Sequence, residues 1–203
     1  MKRILYSCIL VLFAAGCHQT KGTSQENPGN TATDSTKKSF LPVADYLRAE
    51  ISYVDSTPLA IREYIVRGDK KDSGFIQPGE FNRLASEFLL PELAPDNFEQ
   101  HYTETSFMDE TTKSLSFTYS TPDKTLPLQR VDVLAAPSGD FQRIKSIYLQ
   151  QVYMTGDTQV VKKLYWKSRH NFLIIKSMQP AHQPALVQQL QVIWAPDDDD
   201  DQN

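Results

Sequence analysis

Cysteine is almost absent from this chain. Its two thiols, Cys8 and Cys17, both lie within the first seventeen residues. Nothing downstream can therefore form a disulfide, a thiolate metal site or a cysteine nucleophile. Histidine is scarce as well: His18, His101, His170 and His182 are the full set, and none has a second histidine or a carboxylate at metal-ligand spacing. A basic excess is also missing. Lys and Arg number 21 against 25 Asp and Glu, a net charge of −4, which removes the basic face that nucleic-acid binding needs. There is no Gly-x-Ser-x-Gly elbow and no glycine-rich phosphate loop. Chance carboxylate pairs such as Glu99 and Glu104 have no feature tying them together. These absences point away from an enzyme, and no metal or other cofactor is expected.

The start of the chain carries the clearest signal. Met1, Lys2 and Arg3 give a short basic opening, and residues 4–15 are apolar apart from Tyr6 and Ser7. About twelve residues are too few to span a bilayer, which takes roughly 20, and suit the apolar region of a signal peptide. The run ends in Ala14-Ala15-Gly16-Cys17. This resembles the lipobox of bacterial lipoprotein precursors, with Ala14 where that family usually has Leu. The resemblance covers only these first residues. It implies that residues 1–16 are removed, Cys8 with them, and that Cys17 becomes the lipid-bearing first residue. Loss of Lys2 and Arg3 takes the bases from 21 to 19 and the net charge to about −6. Several acyl chains, at about 0.8 kcal/mol per buried CH₂, make such an anchor effectively permanent. Within this class, His18 in place of an acid after the cysteine implies the outer membrane. The absence of an acidic cluster at residues 18–22 implies its periplasmic side.

Residues 17–39 are rich in Thr, Ser, Asn and Gly and read as a flexible tether with an average reach of roughly 25 Å. The acidic run Asp197 to Asp201 reads as a solvated tail over residues 197–203. Between them, residues 40–196 are expected to form one α+β domain, its N-terminal helices packed on a C-terminal antiparallel β-meander. Val43, Tyr46, Leu47, Ile51 and Val54 fall at helical spacing after Pro42 and before Ser56-Thr57-Pro58. A second helix is expected from Pro78 to about Leu90, with Phe81, Leu84, Ala85, Phe88 and Leu89 inward and Pro91 and Pro95 ending it. Residues 59–66 are ambiguous and lean to a strand on Tyr64-Ile65-Val66. From about Tyr102 the chain alternates in short runs separated by turn residues, Gly156-Asp157 among them, as a meander does.

Residues 69–80 resemble an EF-hand calcium loop in Asp69, Ser73, Gly74, Ile76 and Glu80. Lys71 stands where a third oxygen ligand belongs, Pro78 and Gly79 disturb the last turn, and no second loop accompanies it. The segment therefore reads as a polar turn followed by a helix opening at Pro78. Asp132, mid-strand, is expected to pair with Arg130 or Lys145.

The C-terminal strands carry Tyr148, Tyr153, Tyr165, Trp166 and Trp194. Trp194 shares a face with Leu186, Leu190 and Val192 and is assigned to the core. Trp166, near the end of its strand, is assigned to the rim. Tyr153, Tyr165 and Trp166 are the candidate recognition residues, on a face that mixes aromatics with Gln, Lys and Arg. The expected role is a membrane-anchored, non-enzymatic binding or scaffold module for an envelope protein or peptide. The alternative is a carrier of acyl chains resembling the curved-sheet lipoprotein carriers of the periplasm. A continuous apolar interior would favour the carrier, and a polar open face the scaffold. If Cys17 holds the anchor, Cys17→Ser will move the protein from the membrane fraction to the soluble periplasmic fraction, read by blotting the two fractions after a salt wash.

Overall fold

A computed structural model describes residues 40–137 and 143–195. The lipobox, the tether, residues 138–142 and the acidic tail lie outside these residues. The elements are α1 (Val43–Ser56), β1 (Ile61–Arg67), β2 (Lys70–Ile76), α2 (Pro78–Ala85), α3 (Pro95–His101), β3 (Thr103–Asp109), β4 (Ser114–Ser120), β5 (Leu128–Ala135), β6 (Ile144–Thr155), β7 (Thr158–Lys167), β8 (Asn171–Pro180) and β9 (Leu186–Ile193). The strands form one antiparallel sheet in the order β2-β1-β9-β8-β7-β6-β5-β4-β3. The α+β class holds. The meander from β3 to β9 is extended on its β9 side by the N-terminal hairpin, so the first strand of the chain pairs with the last.

Prolines punctuate the helical part. Pro42 precedes α1, and Thr57 takes an extended conformation at its end (φ −108°, ψ 134°), as a residue before proline must. Pro78 opens α2 and Pro95 opens α3. At a first helical position the missing N–H costs nothing, because it has no acceptor there. Pro91 likewise opens a short 3₁₀ turn, Pro91–Leu93. The expected helix from 78 to 90 is therefore shorter, passing into the 3₁₀ turn Ser86–Phe88. Pro91 and Pro95 act as starts rather than stops.

The EF-hand-like segment is neither a calcium loop nor a polar turn. Gly68 and Asp69 form a two-residue hairpin turn, with Gly68 at φ +59°, and Lys70–Ile76 is strand β2. Gly156-Asp157 makes the same turn between β6 and β7, with Gly156 at φ +58°. Both match the right-handed strand twist, which favours such turns and requires positive φ.

Alternation sorts the sheet into two faces. On the helix side, register places side chains in rows across the strands. One row runs Tyr119, Val131, Leu149, Leu164, Ile174, Leu190 and Ile65. The next runs Phe117, Val133, Ile147, Trp166, Phe172 and Val192. The helices cover both except at their ends, where Leu190 and Ile65 of the first row and Phe117 of the second stay partly exposed. Phe81, Phe88, Trp166 and Phe172 are fully buried. Trp166 stacks on Phe172 at 5.4 Å and meets Phe88 at 5.1 Å and Trp194 at 5.2 Å. A second cluster joins Phe40, Phe98, Tyr102 and Tyr119, with centroids 4.8–5.4 Å apart.

This overturns the assignment of Trp166 to the rim: it is the centre of the core. It shares its face with Val160, Lys162 and Leu164, and that is the covered face. Trp194 is buried as expected, whereas Leu186 on the same face is 60% exposed, because no helix reaches that end of β9. Trp166→Ala should cost roughly 3–5 kcal/mol and more than Trp194→Ala. Only Trp166 has both the central position and an indole N–H held by a protein acceptor. Denaturant melts of the two variants check the order.

Candidate functional site

Two arrangements compete as the site: a buried carboxylate cluster and the open face of the sheet.

The cluster is built on Glu50, which interrupts the apolar stripe of α1 and is 3% exposed. Its Oε2 accepts from the indole Nε1 of Trp166 at 3.3 Å and from the backbone N–H of Arg169 at 2.9 Å. Its Oε1 pairs with Nε of Arg169 at 3.1 Å. Arg169 sits in the β7–β8 turn at φ +63°, a left-handed conformation unusual for a side-chain-bearing residue. Its guanidinium lies 3.7 Å from the ring centroid of Tyr53. One helical turn earlier, the Tyr46 hydroxyl meets Ser168 Oγ at 2.6 Å and donates to the Ile144 carbonyl at 3.2 Å. Burial pushes the Tyr46 phenol up from its ordinary value, so it stays a neutral donor. The Glu50 carboxylate accepts from two N–H donors and pairs with one cation, Arg169. The cluster clamps α1 to the β7–β8 turn.

The open face is the second arrangement. Its central row crosses all nine strands: Thr105, Thr118, Asp132, Tyr148, Tyr165, Leu173, Gln191, Tyr64 and Ser73. At about 4.8 Å per strand the row is roughly 38 Å long. Of the outward positions on the nine strands, only Ser114 is buried. Tyr148 and Tyr165 stand directly opposite each other. Thr118 Oγ1 donates to Asp132 at 2.6 Å, and Arg130 Nε reaches the same carboxylate at 2.8 Å, as expected for that pair. Lys145 turns instead to Ser114 Oγ. Burial and the nearby Asp132 raise the Tyr148 phenol above its usual range.

Toward β2, the Arg62 guanidinium lies over the rings of Tyr64 and Phe75, at 5.4 and 5.3 Å, and Phe75 is 72% exposed. These groups border a depression of about 390 Å³ that also touches Asn171, Gln191 and Ile193. A smaller one of about 210 Å³ lies by Ser116, Asp132, Ser146 and Tyr148.

The structure does not bring Tyr153, Tyr165 and Trp166 together. Tyr165 is on the open face. Trp166 is in the core, and Tyr153 is on the helix side, opposite Val160. Cys17 lies outside the described residues. Phe75 was missed because β2 was not recognised, the Gly68-Asp69 dipeptide being the available signal; Arg62 and Tyr64 lie on the expected strand β1, but its place on the open face depends on its pairing with the distant β9. Among the described residues, no three His, Cys, Asp or Glu side chains converge as a metal site, and no helix is long and apolar enough to cross a membrane.

No family model matches the chain, and neither a curated protein nor a solved structure is significantly similar to it.

Glu50→Ala removes the acceptor of two buried donors and leaves Arg169 without its carboxylate. Breaking a buried pair on one side costs about 3–5 kcal/mol, discounted toward the lower end because the Arg169 side chain is 55% exposed. A chemical-denaturation midpoint within error of the parent would show that Glu50 is kept for something other than stability.

Proposed function

We propose that this protein is a non-enzymatic binding module of the bacterial envelope, lipid-anchored through Cys17 to the periplasmic side of the outer membrane. Its open sheet face docks another envelope protein. The observation that carries this reading is the contrast between the two faces. The helix side is filled by Trp166, Phe172, Phe81 and Phe88, each fully buried, which among the described residues leaves no continuous apolar interior for an acyl chain. The open side presents Tyr64, Tyr148, Tyr165 and Phe75 among Gln, Thr, Lys and Arg.

Aromatics supply contact area at low entropic cost, and the polar groups between them supply adaptable hydrogen bonds. Three adjacent rows over nine strands give roughly 38 by 14 Å, the scale of one side of a modest protein interface. The two depressions are places where a partner's side chains can anchor.

A photo-crosslinking amino acid at Tyr165 or Tyr64 of the full-length anchored protein should give one discrete adduct, and the same reagent at Arg48 on the outer side of α1 should give none. Excess untagged protein should abolish the adduct. A Tyr148→Ala/Tyr165→Ala competitor should need at least tenfold higher concentration to do so. Adducts that form equally from Arg48, or a double variant that competes as well as the parent, would sink the reading.

A further inference from the structure

The helix side has a third row, beyond the edge of α2, and it breaks the apolar pattern. Across neighbouring strands it reads Leu128, Gln151, Lys162, Lys176, Gln188 and Arg67. Lys162 and Lys176 are directly opposite on adjacent strands and on the same face. Like charges so placed have Cβ atoms about 5 Å apart and repel, which destabilises a sheet.

One of the two is compensated: Lys162 Nζ reaches Glu87 Oε2 at 2.9 Å, with only 17% of the lysine side chain exposed. Among the described residues Lys176 has no hydrogen-bond or ion-pair partner, and neither does Arg67 two strands away. The other acids nearby do not serve them. Glu80 is gripped by both Nε and Nη2 of Arg83, and Glu63, which lines the same groove, has no ion pair among the described residues and acts on Arg83 only through its charge.

These groups line a groove of about 500 Å³ between α2 and strands β1, β9, β8 and β7. That volume lies within the range of small-molecule sites. Its floor is the neighbouring apolar row, Ile65, Leu190 and Ile174, and Leu84 of α2 forms the wall.

We infer that this groove binds an organic anion: a phosphate or carboxylate head over Lys176, Gln188 and Lys162, and a small apolar body on Ile174, Leu190 and Ile65. The head would neutralise the lysine pair that the fold leaves one carboxylate short. An amide between two cations supplies a neutral donor in the same row. The apolar strip beside it requires a body that leaves water, so a bare inorganic ion satisfies only half of the site. This site is independent of the open face, on the opposite side of the sheet.

The test is calorimetric titration of the full-length protein, in detergent, with hexyl phosphate, hexanol and inorganic phosphate. Hexyl phosphate should bind at least tenfold more tightly than either of the others. Lys176→Gln should weaken it at least tenfold while leaving the melting temperature equal or higher, because the substitution relieves repulsion. Lys163→Gln, on the opposite face of the same sheet, should change nothing. Sedimentation with phosphatidylglycerol vesicles separates the sources of the head group: Lys176-dependent binding assigns it to a membrane lipid, and its absence, with hexyl phosphate still bound, to a soluble anion. Equal affinity for hexanol, or full affinity in Lys176→Gln, would overturn the inference.

Discussion

The carboxylate of Glu50 is the group on which the arrangement of helix and sheet turns. It is an ionisable side chain placed where the stripe of α1 calls for an apolar one, and it is buried. Such a position is tolerable only if every lone pair finds a donor. The donors come from one place, the end of β7 and the β7–β8 turn. The indole of Trp166 and the backbone and side chain of Arg169 all converge on it. α1 therefore cannot slide along the sheet without leaving a charge unpaired. The strained backbone at Arg169 is held by the same contacts. Trp166, whose ring centres the aromatic core, is oriented by its bond to the helix.

With one face committed to that core, the other is free of packing duties. Each strand alternates, so each inward core residue is flanked by outward ones, and of these only Ser114 is buried among the described residues. Their composition is informative for that reason. The face is neither wholly charged nor wholly apolar: tyrosines and aliphatic residues such as Val161, Leu173 and Ile175 lie among amides, hydroxyls and charges. Such a surface stays soluble alone and still has area to bury.

Much of the architecture was legible from pattern. The period of 3.6 located α1, the period of 2 located most of the meander, and the order of helices before strands set the class. The failures have physical causes. Alternation says which residues share a face but not which face is covered, and Lys162 between Val160 and Leu164 made the core face of β7 look peripheral. Leu186 continued an apolar face past the point where helices cover it. Pro91 and Pro95 read as stops because proline both ends one helix and opens the next. β2 was hidden by a charged segment whose oxygens imitate a calcium loop, although Gly68-Asp69 is the same dipeptide as the turn that was recognised at Gly156-Asp157. Glu50 could not have been found at all, since its partners are more than a hundred residues away in the chain.

The pairing of β1 with β9 also sets a timetable. The hairpin β1–β2 is among the first segments synthesised, but a lone two-stranded ribbon is marginal in water, and its inner residue Ile65, opposite Asp72 within the hairpin, lacks its apolar partner Leu190 until β9 arrives. Its final contacts span some 130 positions, so closing that loop is an entropic step that local structure cannot shorten. Folding should be slow for a chain of this length, as in other sheets dominated by non-local pairings. Until β9 is in place, both the edge of β1 and the flank of β8 are unpaired strand edges. A chain truncated before Leu186 would keep its meander and its helices, yet carry two sticky borders where the complete protein has a continuous sheet.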